Sequence, residues 1–120
     1  MRKAKATNPE LMELIRFLKK QSKENNVNIW RDIAERLSKS RRNRPAVNVS
    51  RINRCTQKKE FIVVPGKVLG SGEIDHAITV AAFAFSERAK EKIMAAKGKC
   101  MSFFDMVQKN PKGSNVKIVG

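Results

Sequence analysis

The sequence has few of the side chains on which enzymes and metal sites depend. His76 is the one histidine, and the two cysteines, Cys55 and Cys100, stand far apart without any C-x-x-C or H-x-x-x-H pair. Zinc sites draw on such closely spaced pairs, so we expect no metal site. A nucleophile activated by histidine would have to use His76, whose neighbours match no known signature. The sequence therefore predicts no catalytic residues, no metal and no cofactor.

Long apolar runs are also missing. No stretch reaches the roughly 18 apolar residues of a membrane-spanning helix. Residues 1–6, MRKAKA, contain no apolar core of a secretory signal. We therefore expect a soluble cytosolic protein whose cysteines are free thiols, because a fold with its own core needs no disulfide. The glycines form neither G-x-x-x-x-G-K-S/T nor G-x-G-x-x-G, which argues against a nucleotide or other small-molecule substrate.

Acidic residues are scarce beside basic ones. The chain has 26 Lys and Arg against 11 Asp and Glu, for a formal net charge of +15 and a pI near 10.4. Charge of this size on a small domain repels itself, and phosphates relieve the repulsion while releasing condensed counterions. We therefore expect a nucleic acid partner, against the alternative that the surplus only solvates an exposed face. The net charge is uneven, with +11 in residues 1–60 and +4 in residues 61–120.

One stretch, from Arg36 to Lys59, contains nine cations and no acid. We predict that this acid-free stretch lies against a phosphate backbone, because the planar fork of arginine binds phosphate in a bidentate way. The basic tail before it is expected to become ordered only on the nucleic acid. A glycine turn with a lysine nearby follows the acid-free stretch. Because glycines have no side chains, the backbone N–H groups of such a turn can approach a phosphate closely, and a plain hairpin turn is the alternative. The predicted contacts are Arg2, Lys3 and Lys5 in the tail, Lys39, Arg41, Arg42, Arg44, Arg51, Arg54, Lys58 and Lys59 in the acid-free stretch, and Lys67, Gly70, Ser71 and Gly72 at the turn.

The length of 120 residues predicts a single domain, since two independent cores would be too small. A basic tail covers residues 1–7. Residues 8–59 are expected to be mainly helical and residues 60–120 to mix strands and helices. The predicted class is therefore α+β, with a helical first half followed by an irregular second half.

Two amphipathic helices are predicted in the first half. TNPE at 7–10 has the pattern of a helix start, and the helix is expected to run to about Lys20 before a polar loop at 21–26. Apolar residues at every fourth position over 29–37 predict the second helix. Trp30 lies beside that apolar stripe, so we expect it in the core and not stacked on a base.

Short apolar runs and helix caps divide the rest of the chain. Strands are predicted at FIVV 61–64, ITVAAFAF 78–85 and VKIV 116–119. The first is expected to end at Pro65-Gly66, because both residues interrupt strands. Short helices are predicted after caps at Asn48, Ser86 and Ser102. The helix after Asn48 should turn Arg51 and Arg54 outward, and the helix after Ser86 should turn Met94 inward.

Several motifs together resemble one known family. With x for any residue, they are PGKVLGSGEI at 65–74, TVAA at 79–82, FSxxAKEKI at 85–93, and the shorter matches TNP at 7–9, WxDIAERL at 30–37, RR at 41–42, VNVxRI at 47–52 and NPxGSxV at 110–116. This combination is similar to ribosomal protein eighteen-e of the large subunit, a family of archaea and eukaryotes. From Lys67 to Ile93 it also resembles bacterial large-subunit protein fifteen. The short chain without extended flanks resembles the archaeal members.

The resemblance implies a role in binding and stabilising large-subunit ribosomal RNA. It also implies neighbouring ribosomal proteins as partners, a place in the cytoplasmic ribosome, and neither catalysis nor a cofactor. The implied fold is the irregular α/β arrangement shared with bacterial protein fifteen. Lys67, Gly70 and Gly72 match the shared motif and carry the implied contact role most strongly. Cys55 and Cys100 match no family pattern.

Two other functions remain open on the residues alone. A DNA-compacting or helix-turn-helix protein would also place short helices beside a basic stretch, and it would bind duplex DNA as well as structured RNA. A nuclease would have to act through Asp75 or His76. We expect these two adjacent side chains to point to opposite faces of a strand, which argues against a joint catalytic role.

Overall fold

The computed structural model describes residues 9–39, 46–57 and 60–119. Its elements are α1 (Pro9–Asn25), α2 (Ile29–Leu37), β1 (Ala46–Asn48), α3 (Val49–Cys55), β2 (Phe61–Leu69), β3 (Thr79–Phe85), α4 (Glu87–Ala95), β4 (Lys99–Met101), α5 (Phe103–Lys109) and β5 (Val116–Ile118). Helices dominate the first part and alternate with strands in the second, which confirms the predicted α+β class. Outside the described residues lie the predicted cap residues Thr7 and Asn8 and the predicted contacts Arg2, Lys3, Lys5, Arg41, Arg42, Arg44, Lys58 and Lys59.

The sheet is built around β2. Its strand order is β1-β2-β3-β4, and β5 also pairs with β2. β1 pairs with residues 67–69 of β2 and β5 with residues 61–63, and each of the four pairings is parallel. Because the strands point the same way, the sheet has an amino edge, where β2 and β3 begin, and a carboxyl edge, where they end. The first turns of α3 and α4 directly follow strands β1 and β3 and therefore lie at the carboxyl edge.

Helices cover both faces of this sheet. Alternate residues of β2 point to opposite sides, so that Ile62 packs in one hydrophobic cluster and Val63 in the other. The first cluster contains Ile52 of α3 and Ile93 of α4. The second contains side chains of α1, α2 and α5, among them the fully buried Trp30, as predicted. Burial on both faces is the usual environment of parallel strands.

Helix α1 is longer than the sequence predicted. The expected loop at 21–26 is wrong, because the helix continues to Asn25. Gln, Lys and Glu in this stretch are good helix formers. Ser22 is buried, and its hydroxyl donates a hydrogen bond to the carbonyl of Val27. The helix ends where Asn26 adopts φ 55°, with Val27 N–H donating to Ser22 O at 3.1 Å in a Schellman arrangement.

Strand β2 also continues where an end was predicted. It passes through Pro65 and Gly66, and the register with β3 shifts between Val64 and Lys67. A proline, which lacks an N–H donor, is tolerated at such an irregularity. The hairpin alternative for the glycine turn is wrong too, because β2 and β3 are parallel. The chain returns instead over residues 70–78, with Ile74 and Ile78 buried in the first cluster.

The local helix signals have mixed outcomes. The Ser86 and Ser102 caps are confirmed, since their hydroxyls accept hydrogen bonds from Ala89 N at 3.2 Å and Asp105 N at 3.1 Å. Met94, however, was predicted to be inward and is 64% exposed. It lies one residue beyond Ile93, which already occupies the inward position of α4. The three-residue strands β1 and β4 were not predicted.

Candidate nucleic-acid interface

The glycine loop, residues 70–72, lies at the carboxyl edge between α3 and α4. A Cβ at Gly70 would lie 2.5 Å from Arg88 Cβ and 2.9 Å from the backbone nitrogen of Ala89. Gly72 has φ +91°, and a Cβ there would lie 2.2 Å from Ser50 Cβ. Both glycines therefore allow the loop to pack closely against the first turns of the two helices.

Hydrogen bonds fix the path of this loop. Ser50 N donates to Ser71 O at 3.2 Å, and Ser71 N donates to Asn48 Oδ1 at 3.3 Å. Asn48 precedes α3 as predicted, but its side chain makes no capping bond to the helix. It holds the glycine loop instead. Lys92 Nζ donates to Gly72 O from α4. The Ser71 N–H is thus already bonded within the protein, and the exposed Ser71 and Gly72 are presented in one conformation.

Exposed cations surround the glycine loop. Arg51 follows Ser50 in the first turn of α3, Arg88 lies beside Gly70, and Lys67 extends from β2 just before the loop. Over the described ranges, no carboxylate lies within 4.0 Å of the charged nitrogens of these three side chains. We call Arg51, Lys67, Ser71, Gly72 and Arg88 the loop surface. Because these three cations make no ion pair with a described carboxylate, their charged groups are available to a phosphate.

Only some of the predicted contacts come together at this surface. Arg54 is exposed one turn further along α3, at its last turn. Lys39 is exposed just beyond α2, and no described contact connects it with the loop surface. Arg88 was missed by sequence reasoning. Its one available signal was its position as a cation two residues after the predicted Ser86 cap.

His76 holds the end of α3 to the returning chain. The expectation that Asp75 and His76 point apart is wrong, because both lie in a loop and their side chains meet, with His76 Nδ1 2.8 Å from Asp75 Oδ1. His76 Nε2 lies 2.8 Å from Thr56 Oγ1, and Thr56 donates to Ile52 O at 2.6 Å. The single hydroxyl proton of Thr56 is therefore used by the helix, while its oxygen lies within hydrogen-bonding distance of the imidazole.

These bonds favour a structural role for His76 and Thr56 over a catalytic one in which His76 activates the Thr56 hydroxyl as a nucleophile. Thr56 is only 9% exposed and does not offer its oxygen to a substrate. Asp75 N also donates to Asn53 Oδ1 at 3.1 Å, which adds a second bond between α3 and the returning chain. The hydrogen bond from His76 lowers the pKa of the Asp75 carboxyl below its ordinary value. We call Asn53, Thr56, Asp75 and His76 the histidine clamp.

A second set of bonds lies at the same end of α3. Lys117 Nζ donates to Cys55 O at 2.9 Å and lies 3.3 Å from Glu60 Oε2. Glu60 also accepts a hydrogen bond from Gln57 N. The hydrogen bond from Gln57 N is the main cause of a lowered pKa at the Glu60 carboxyl, and the neighbouring Lys117 lowers this pKa further. These contacts join the end of α3 to the starts of β2 and β5.

Within the described part of the chain, no group of three or more His, Cys, Asp or Glu side chains is arranged to hold a metal ion. No helix of that part is long and apolar enough to cross a membrane. Cys55 and Cys100 are both free thiols, with Cys55 exposed. Burial raises the pKa of the half-buried Cys100 thiol.

Comparison with known proteins identifies the class. The chain matches, over residues 1–120, the family model described as "Ribosomal protein 60S L18 and 50S L18e". It is 55% identical over 113 residues to the large ribosomal subunit protein eL18 of Methanospirillum hungatei, covering 94% of this chain and 93% of that protein. It is 52% identical over 118 residues to the protein of the same name from Methanoregula boonei, covering 98% of each. The corresponding protein of Methanothermobacter thermautotrophicus is 47% identical over 119 residues, 99% of this chain and 98% of that protein.

All of these matches are with ribosomal proteins of the large subunit. The chain belongs to the family of ribosomal proteins 60S L18 and 50S L18e. The family suggested by the motifs at 65–74, 79–82 and 85–93 is therefore confirmed, and its named relatives come from archaea.

Proposed function

We propose that the protein is a structural constituent of the large ribosomal subunit that binds and stabilises ribosomal RNA through a basic surface. Its partners are large-subunit ribosomal RNA and neighbouring ribosomal proteins in the cytoplasmic ribosome. It is not an enzyme, and it uses no cofactor and no small-molecule substrate. Family membership supports this role, since the relatives are named as proteins of the large ribosomal subunit.

The observation that carries the RNA-binding part is the loop surface. Three cations from α3, β2 and α4 flank an exposed loop, and none of them has a described carboxylate partner within 4.0 Å. The loop between these cations is fixed by the hydrogen bonds of Ser71 and by the close packing of Gly70 and Gly72. A loop that is already held in one path loses less conformational freedom on binding RNA than a mobile loop does.

The proposed contacts extend beyond this surface. Arginine forks and lysine heads on phosphates fix the position of the protein without reading bases, so recognition follows the shape of the folded RNA. The proposed contacts are Arg88, which the structure adds, and the residues predicted from the sequence: Arg2, Lys3, Lys5, Lys39, Arg41, Arg42, Arg44, Arg51, Arg54, Lys58, Lys59, Lys67, Gly70, Ser71 and Gly72.

Binding to transcribed large-subunit ribosomal RNA tests the proposal. The logarithm of affinity should fall steeply with the logarithm of salt concentration. The double variant Arg51→Gln/Arg88→Gln should lower that slope by about 1.5, at 0.7–0.9 per lost phosphate contact. The matched control Lys99→Gln/Lys109→Gln also removes two exposed positive charges, but away from the loop surface, and it should leave the slope close to that of the wild type.

Duplex DNA of equal charge serves as the competing ligand. Preference for the ribosomal RNA supports a reader of RNA shape. Equal binding to both ligands would favour the DNA-binding alternative. A salt slope near one or two for the wild-type protein would contradict an extended phosphate interface.

A further inference from the structure

A groove of about 660 Å³ lies between the last turns of α1 and the start of α2. Lys19 and Lys23 project from one wall and Arg31 from the other, with Asn26 and Asn28 at the turn between the helices. The turn is held rigidly by the Asn26 conformation and by the bond from Val27 N to Ser22 O at 3.1 Å. None of these three cations is among the contacts predicted from the sequence.

The charge of this groove is mainly positive. Among the residues that the structure describes, Glu35 is the one carboxylate that lines the groove, and its Oε1 lies 3.4 Å from Arg31 Nε. A guanidinium has five N–H donors, so this exposed pair leaves most of the Arg31 fork available. In the part of the chain that is described, Lys19 and Lys23 have no carboxylate within 4.0 Å. The groove therefore carries two cations beyond what its own acid balances.

The lining also indicates which kind of partner fits. Val27 is the single apolar residue among the described residues that line the groove, whereas specific protein interfaces have an apolar core. Interfaces with nucleic acid are polar and positively charged. Asparagine side chains such as Asn26 and Asn28 donate to phosphate oxygens and exchange hydrogen bonds with 2′-hydroxyls. An RNA backbone satisfies this lining better than an acidic protein segment does.

The groove and the loop surface lie at opposite edges of the sheet. Lys112 Nζ donates to Asn25 O at 3.4 Å, and Trp30 Nε1 donates to Pro111 O at 2.8 Å, so the turn between α1 and α2 sits against the chain that leads into β5. β5 begins beside Phe61, at the amino edge. The loop surface lies at the carboxyl edge. The nine residues of β2 separate the two edges by about 26 Å.

We infer that the groove between α1 and α2, with Lys19, Lys23 and Arg31, binds the sugar-phosphate backbone of a second RNA segment. The protein then holds two RNA segments together, one at each edge of its sheet. This inference rests on the proposed function, because it takes the loop surface as the first RNA site.

Hydroxyl-radical footprinting on transcribed large-subunit ribosomal RNA tests the inference. The full-length wild-type protein should protect two separate segments. Lys19→Gln/Lys23→Gln/Arg31→Gln should lose one of them and keep the other, and Arg51→Gln/Arg88→Gln should show the reverse. Raising salt from 50 to 200 mM should weaken binding of the groove variant roughly 20- to 40-fold less than that of the wild type, for three contacts at 0.7–0.9 each.

The matched control is Lys20→Gln/Lys99→Gln/Lys109→Gln. Lys20 neighbours Lys19 in the sequence but lies outside the groove lining, where it pairs with Glu24. This control should protect both segments. The second site would be overturned if both test variants lost the same segment, or if the groove variant still protected both segments. Binding of an acidic peptide in the groove in place of RNA would also overturn it. If the wild type protects no RNA at all, the proposed function itself fails.

Discussion

Gly72 shows how a single residue determines the shape of the loop surface. Its φ of +91° lies where side chains are strained, and a Cβ would meet Ser50 Cβ at 2.2 Å. We expect Gly72→Ala to lower the free energy of unfolding by about 1–3 kcal/mol. Chemical denaturation measures this. Ser71→Ala is the control, because Ser71 bonds through its backbone, and it should change stability by less than about 0.5 kcal/mol. Equal effects of the two substitutions would show that the loop is not held as described.

The site residues differ in how far the sequence could reveal them. Gly70 and Gly72 belong to one contiguous motif, and the structure gives each a close contact that requires glycine. Arg88 lies in a different motif, and it becomes a neighbour of Gly70 only when α4 packs beside the end of β2. Lys23 and Arg31 face one groove because α1 continues to Asn25 and the chain turns only at Asn26, whereas the sequence predicted a loop from residue 21. Side chains brought together by packing leave no local signal.

At the scale of elements, local cues predicted helix starts better than ends or short strands. A cap such as Ser86 needs only the few residues after it, and its bond to Ala89 N formed as expected. The end of α1 depends instead on the burial of Ser22 and on its bond to Val27 O. β1 and β4 have three residues each. β1 forms by pairing with β2, and β4 forms by pairing with β3, in both cases with residues distant in the sequence. Such pairing has no counterpart in local propensity.

Acid should weaken the bonds that hold the end of α3. The folded-state pKa values of Asp75 and Glu60 are lowered from ordinary values of 3.8 and 4.5, by the hydrogen bond from His76 and by that from Gln57 N. Carboxyls with lowered pKa stabilise the fold above their ordinary pKa, and they lose that contribution as pH falls through the folded value. We therefore expect the free energy of unfolding to fall as the pH drops below about 4.5.

Denaturation of Asp75→Asn/Glu60→Gln as a function of pH measures this contribution. The double variant should be less stable than the wild type near neutral pH and should approach it in acid, because its side chains do not titrate. Glu91→Gln, exposed on α4, is the control and should keep the pH dependence of the wild type. A double variant with an unchanged acid profile would show that these carboxylates are not the source of the dependence.

At the scale of the whole molecule, the two hydrophobic clusters share one sheet. Adjacent residues of β2, Ile62 and Val63, are buried in different clusters, as are Val80 and Ala81 of β3. Neither cluster can open without removing one face from these strands. The proposal of a single domain over residues 1–120 therefore has a physical basis in the shared strands, and it predicts one cooperative transition.

Trp30 provides the measurement of that cooperativity. It is fully buried in the second cluster, whereas Ile52 is fully buried in the first. Ile52→Val removes one buried methylene and should cost about 0.5–1.5 kcal/mol. If the clusters unfold together, the Trp30 fluorescence midpoint must shift by the same amount as the far-ultraviolet circular dichroism midpoint. Exposed Met94→Ala is the control and should move neither. If the Trp30 midpoint stays in place while the circular dichroism midpoint shifts, the chain unfolds as two units, because the second cluster then keeps its stability when the first is destabilised.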